Sequence, residues 1–290
     1  MRIAFLGFGE AARAFHDSLA PKLAEGEFRA YDLLLDDPTK AAEMRDAMES
    51  RGVAAVQSAA DLGEAEWIFS AVTADQSLQA ARSMLGHLGQ GAIFIDINSV
   101  SPQRKRETAR LVEEAGADYL DMAVMAPVYP RGHATPVLIA GAPAASMLPR
   151  LRELGFQADV AGEAPGSATA IKMVRSVFVK GLEAITVEAL LAAEASGCFE
   201  EIFGSLSQSF PGLDWSKFPV YQVERTTRHG RRRAAEMRES GATLDALGLN
   251  GGLCREIAQV QDLMAASGVR PGSDLQQTLR DVLSARQRNG

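Results

Sequence analysis

Near the start of the chain an apolar run, Ile3–Leu6, leads without a spacer into Gly7-Phe8-Gly9-Glu10-Ala11-Ala12, and helical periodicity then resumes. Small residues at G-x-G-x-x-A spacing, after a strand and at the head of a helix, constrain the fold more than anything else in the sequence. Gly7 permits the tight turn, Gly9 lets backbone approach a pyrophosphate, and Ala12 keeps the helix close to the sheet. The helix N-terminus then offers free N–H groups and a positive dipole end to phosphates. A second strand is expected at 28–31, and Asp32 follows it about 20 residues beyond Ala12, where a carboxylate accepts from the adenosine ribose hydroxyls. That acid repels a 2′-phosphate, and Leu33-Leu34-Leu35 supply no arginine to attract one. NAD is therefore the expected cofactor, with NADP disfavoured.

The same alternation continues through the first half. Apolar runs at Trp67–Val72, Ala92–Ile97 and Val137–Ala140 alternate with amphipathic stretches at Thr39–Arg51, Ser77–Leu88 and Gln103–Ala115. Strand–helix alternation predicts a parallel sheet covered by helices on both faces. Beyond Gly166 strand signals vanish. Ala168–Ala195 contains no proline and reads as one helix of about 28 residues, ~42 Å long, followed by shorter helices broken at Pro211-Gly212, Gly230, Gly241, Gly248–Gly252 and Pro271-Gly272. The expected architecture is an α/β Rossmann domain over 1–163 and an all-α domain over 164–290, joined by the long helix.

Composition narrows the partners. A net charge of -7 over 290 residues argues against nucleic acid. Two distant cysteines, Cys198 and Cys254, and four scattered histidines suggest neither a disulfide framework nor a metal site. No apolar run approaches the ~20 residues of a membrane span, and the early glycines do not suit a signal peptide. A cytoplasmic location is expected.

Several segments together resemble the β-hydroxyacid dehydrogenases, the group of 3-hydroxyisobutyrate and 6-phosphogluconate dehydrogenases, in a branch with a helical C-terminal domain of unassigned function. FLGFGEAA matches the opening cofactor motif, with Ala11-Ala12 in place of Met-Gly. Ala71-Val72-Thr73 resembles the end of the fourth strand beneath the cofactor. IDINSVSP, 95–102, resembles the segment near the nicotinamide ribose, with Asn98 and Ser99 as polar contacts; Ser101 reads as a helix cap. GSATAIKMVRS, 166–176, resembles the start of the interdomain helix and implies Lys172 as the catalytic lysine. Its neighbours Ala168, Ala170, Ile171, Met173 and Val174 are apolar, and partial desolvation would lower its pKa toward the range useful for proton exchange.

Two departures bear on substrate. The family's Asn four residues after the lysine is Ser176 here. Its Ser-Gly-Gly after the sixth strand, which holds the substrate carboxylate, is Met125-Ala126-Pro127, without the hydroxyl and with one N–H removed. The following loop either offers replacements, with Tyr129 as a hydrogen-bond donor or aromatic wall, Arg131 as an anion binder and His133 as a secondary acid or base, or is a polar connection between strands with Arg131 solvated; Lys180 on the long helix is a further candidate contact. Arg225, Arg228 and Arg232, within the basic run to Arg233, either form an anion clamp or decorate a solvent face in i,i+4 pairs with Glu224 and Glu236.

The resemblance implies hydride transfer between NAD and a secondary alcohol or carbonyl, a hydroxy acid or a bulkier hydroxy compound, with Lys172 as general acid/base. Imine reduction, oxidative decarboxylation and a non-catalytic NAD(H)-binding role are the alternatives. The apolar circumference of the long helix, at Ile185, Val187, Ala189, Leu190 and Leu191, leads us to expect a homodimer through the helical domain.

Overall fold

In the computed structural model, which describes residues 1–23 and 25–289, alternating strands and helices give way to helices alone, as the pattern requires. The strands are β1 (Arg2–Leu6), β2 (Glu27–Tyr31), β3 (Ala54–Ala55), β4 (Trp67–Ser70), β5 (Ile93–Asp96), β6 (Asp118–Val124), β7 (Val137–Ala140) and β8 (Ala158–Gly162). The helices among them are α1 (Glu10–Leu19), α2 (Ala41–Glu49), α3 (Ser77–Arg82), α4 (Pro102–Glu114) and α5 (Ala144–Glu153). The helices that follow are α6 (Ser167–Ala195), α7 (Phe199–Ser209), α8 (Phe218–Ala246), α9 (Gly252–Ala266) and α10 (Leu275–Asn289).

Among the described residues the strands form one sheet in the order β3-β2-β1-β4-β5-β6-β7-β8. Every neighbouring pair is parallel except β6 with β7. Parallel strands are buried on both faces, so they read as continuous apolar runs. Ile3, Phe5, Phe69, Ile95, Leu120 and Met122 pack on one face, where α1 contributes Ala12 and Phe15. Ala4, Leu6, Ile68, Phe94 and Tyr119 pack on the other, beneath Ala109 and Val112 of α4. The strand order reverses at β1, between β2 and β4. In open α/β sheets this switch point opens a crevice at the carboxyl ends of the strands.

The chain forms two compact units, Met1–Lys172 and Met173–Gly290. The division falls inside α6, later in the chain than the change in sequence pattern. In the second unit Val187, Leu190, Leu191, Phe199, Val223, Met264, Leu279 and Val282 form one core cluster. A second holds Ala184, Ala234, Met237, Cys254, Ile257 and Ala258.

The expected breaks at Gly230 and Gly241 do not occur: both lie inside α8, a helix of 29 residues. These glycines serve a close helix crossing. A Cβ on Gly230 would stand 2.2 Å from the Gln261 carbonyl oxygen of α9, and one on Gly241 would stand 3.2 Å from the Gly251 carbonyl oxygen. At the chain's start, α1 ends at Leu19, earlier than its apolar pattern, because Pro21 diverts the chain into a 3-10 turn over Ala20–Lys22.

Candidate functional site

The turn after β1 is built by Gly7, whose φ of +87° favours glycine. A Cβ there would also lie 2.6 Å from the Ala71 carbonyl oxygen and 2.8 Å from Val72. Gly7 therefore lets the β1 turn lie against the end of β4. Gly9 is different. Its φ is -81°, and nothing lies within 4 Å of where its Cβ would be. The protein itself gives Gly9 no reason to be glycine; the open space lies at the head of α1, which has no side-chain cap. The backbone N–H groups in the first turn of any α-helix point out of its N-terminal end. A pyrophosphate fits this cradle in both charge and closeness of approach.

Asp32 stands at the carboxyl end of β2, where the sequence placed it. Its Oδ2 accepts the Phe8 N–H at 2.7 Å and its Oδ1 accepts the Leu34 N–H at 2.9 Å. Each carboxylate oxygen keeps a lone pair for a ribose hydroxyl. The Phe8 side chain is in the core, so its backbone alone faces the turn. Further acids follow: Asp36 accepts from the Tyr31 hydroxyl, which burial and that carboxylate push up to about 12. These residues fit a dinucleotide, with its adenosine ribose at β2 and its pyrophosphate over α1.

The next two strand ends are tied by Asn98. Its Oδ1 accepts the Val72 N–H at 2.7 Å and its Nδ2 donates to Ser70 Oγ at 2.9 Å. The amide is 4% exposed and shapes this edge from within. Thr73, beyond the end of β4, is exposed. Ser99 comes next after Asn98, and Lys172 Nζ donates to its Oγ at 2.7 Å. This bond joins Ser99, which the resemblance places near a nicotinamide ribose, to the lysine it implies as catalytic. Ser101 caps α4, accepting the Arg104 N–H with Pro102 at the first helical position.

Met125 donates its N–H to the Pro136 carbonyl oxygen, and its side chain packs against the small core of Ala123, Ala140 and Ala168. Ala126 is half-buried, while Tyr129 and Arg131 are exposed in the same loop. His133 is buried; its Nε2 donates to the Leu154 carbonyl oxygen and its Nδ1 lies 2.7 Å from Ser18 Oγ. Burial holds its pKa below 6.5, and the ring acts as a packing bolt between α1 and α5.

In the second unit Lys180 is 5% exposed. It pairs with Glu236 at 2.8 Å and donates to Ser176 Oγ at 3.1 Å. Burial pulls its pKa down against the pull of Glu236. The Glu183 carboxylate nearby takes Arg233 and Gln261 Nε2. Arg228 pairs with Glu224 at 3.1 Å on an exposed face, and Arg225 lies over the Tyr221 ring.

One set of polar residues went unread in the sequence: Lys105, Asp96, Asp121, Tyr119 and Thr169, all buried. A faint signal existed. Pro102, Lys105, Thr108, Ala109 and Val112 share helical spacing, so Lys105 sits on the buried stripe of α4.

A mostly parallel sheet with a glycine cradle at its switch point and an acid at the end of the next strand defines a nucleotide-binding α/β protein of the Rossmann class. Residues 3–153 match the family described as the NAD binding domain of 6-phosphogluconate dehydrogenase, and the chain belongs to that family. Residues 193–264 match a domain of unknown function, DUF1932. A conserved hypothetical protein from Sinorhizobium meliloti 1021 is 35% identical with a TM-score of 0.77, covering 99% of this chain and 96% of its own. The conserved protein MTH1747, described as structurally similar to 3-hydroxyacid dehydrogenases, is 27% identical with a TM-score of 0.70, covering 99% of both chains. The Mycobacterium tuberculosis 3-hydroxyisobutyrate dehydrogenase shares the fold at 21% identity and a TM-score of 0.72, covering 96% of this chain and 99% of its own.

Proposed function

We propose that the protein is an NAD(H)-dependent oxidoreductase that interconverts a secondary alcohol and its carbonyl compound, with Lys172 as general acid/base. The observation that carries this reading is the Lys172–Ser99 hydrogen bond beside the Asn98 turn. It puts an amine at the carboxyl edge of the sheet, where the nicotinamide end of a dinucleotide belongs in this fold. The nicotinamide, when bound, supplies hydride transfer. The chain's own part is binding and proton movement. The α1 N–H groups and Gly9 hold the pyrophosphate, Asp32 accepts from the ribose, and Val72, Thr73 and Asn98 form the floor of the crevice. In the oxidation direction neutral Lys172 takes the proton from the substrate hydroxyl; in reduction the ammonium returns it to the carbonyl oxygen. Ser99 Oγ holds the amine in place for that exchange.

Asp32, Asp36 and Asp37 make the β2 end an acidic neighbourhood, so we assign NAD rather than NADP. The backbone and hydroxyl donors of a Ser-Gly-Gly carboxylate site are reduced at Met125-Ala126-Pro127. The substrate class that suits such a loop is a hydroxy compound bulkier or less acidic than 3-hydroxyisobutyrate, lined by Tyr129 and Arg131. The reading includes a homodimer joined through the helical unit.

The test is a panel of hydroxy acids, aromatic alcohols and carbonyl compounds assayed with NAD(H), alongside Lys172→Ala and titrations of NADH against NADPH. Turnover of a panel member that is lost in the variant supports the reading. Tight NADH binding with no turnover across the panel identifies a nucleotide-binding protein instead.

A further inference from the structure

Asp96 and Asp121 are paired across β5 and β6, two acids side by side in the interior of the sheet. Like charges so placed repel, and Lys105 of α4, 0% exposed, answers both. Its Nζ lies 2.9 Å from Asp96 Oδ1 and 3.3 Å from Asp121 Oδ1, and donates to the Asp96 carbonyl oxygen at 2.6 Å. Three acceptors meet the three protons of the ammonium. Both carboxylates accept from further donors as well. Asp96 Oδ1 accepts the Asn98 N–H at 2.9 Å and its Oδ2 accepts the Tyr119 hydroxyl at 2.8 Å. Asp121 Oδ2 accepts the N–H groups of Gly166 and Thr169 at 3.1 and 3.0 Å, and its Oδ1 accepts the Thr169 hydroxyl at 2.8 Å.

Each acid thus shapes one segment. Asp96 fixes the turn that presents Ser99, and Asp121 caps the first turn of α6, which presents Lys172. Gly166 adds a second tie, since a Cβ on it would stand 2.8 Å from the Pro102 carbonyl oxygen at the head of α4. Apolar side chains of similar volume would serve stability as well or better than a buried ion triad. What they would not do is lock two loops in register through one shared cation.

We propose that Lys105, through Asp96 and Asp121, is a positioning residue that sets the Lys172–Ser99 geometry. The proposal rests on Lys172 being the proton-exchanging group of the proposed function. The tie acts at one remove: it touches neither substrate nor nucleotide.

The experiment is competitive labelling of the whole protein with trace acetic anhydride across a pH series, read lysine by lysine, without nucleotide or substrate. Exposed Lys217 is the internal standard. The variants are Lys105→Met, which leaves two buried carboxylates without a cation, and the milder Thr169→Val, which removes one donor to Asp121. Thr169→Ser is the conservative control, and Thr169→Val decides the matter if Lys105→Met does not fold. The expected result is a change of at least about threefold, half a pH unit's worth, in Lys172 labelling relative to Lys217 in Thr169→Val, restored in Thr169→Ser. Lower melting temperatures with Lys172 labelled as in the wild type at every pH would overturn the proposal. A wild-type Lys172 that titrates together with Lys217 would count instead against proton exchange by Lys172, and so against the proposed function, whatever the variants do.

Discussion

Gly7 and Gly9 are one residue type with two different reasons for being there. Gly7 is demanded by the protein, through a positive φ and contact with the end of β4. Gly9 sits in open space with an ordinary φ. Gly9→Ala should therefore cost folding no more than about 1 kcal/mol, the usual cost of alanine at a helix cap. It should weaken NADH binding, measured by titration calorimetry, by about tenfold or more, because the methyl occupies the space a phosphate needs. Gly7→Ala should instead lower the melting temperature outright. His133 gives a second test at this scale. Its folded pKa lies below 6.5, so below that pH the unfolded chain binds a proton that the folded one refuses. Stability from this site is intact above pH 6.5 and is lost as pH falls from 6.5 through the folded value. His133→Gln should flatten that limb of the melting-temperature curve, while an unchanged slope would show that His133 does not set it. The sequence named Gly7, Gly9, Asp32, Ser99 and Lys172 because spacing and family likeness carry those positions. It gave a faint sign of Lys105 and none of Asp96 and Asp121: a charge inside an apolar strand declares itself only when the face that the neighbouring helix α4 turns toward it is known.

Among the elements, α6 and α8 show what periodicity can and cannot carry. The long helix read at 168–195 is α6, Ser167–Ala195, because unbroken helix formers leave no competing structure. In α8 the same rules misread Gly230 and Gly241, since a glycine in a helix costs only about 1 kcal/mol and close packing against α9 offsets it. Gly230→Ala should destabilise the protein by about 1–3 kcal/mol, read from chemical denaturation, even though alanine is the better helix former. A neutral or stabilising effect would contradict the close crossing. The strands β6 and β8 were also less legible than β1 or β4: β6 carries Asp118 and Asp121, and β8 has exposed Asp159 and Val160.

For the whole molecule, the Rossmann-then-helical plan was readable from the single change in pattern near Gly166, and membership of the NAD-binding family agrees with it. No helix among the described residues is long and apolar enough to cross a membrane. Apolar residues nonetheless remain in solvent along one stripe of α6, with Phe178 at 74% and Ile185 at 68% exposure. A seven-residue spacing keeps these two on one face. The homodimer reading predicts that light scattering at micromolar concentration gives twice the chain mass, and that Phe178→Asp with Ile185→Asp halves it. A wild-type monomer would contradict it.

In the proposed reaction the amine beside Ser99 moves the proton. The decisive measurement is kcat for Lys172→Ala together with NADH affinity on the same preparation, with a substrate found in the panel. The account predicts that kcat falls about 10²–10⁴-fold while NADH binds as in the wild type. A variant that turns over at the wild-type rate would contradict it.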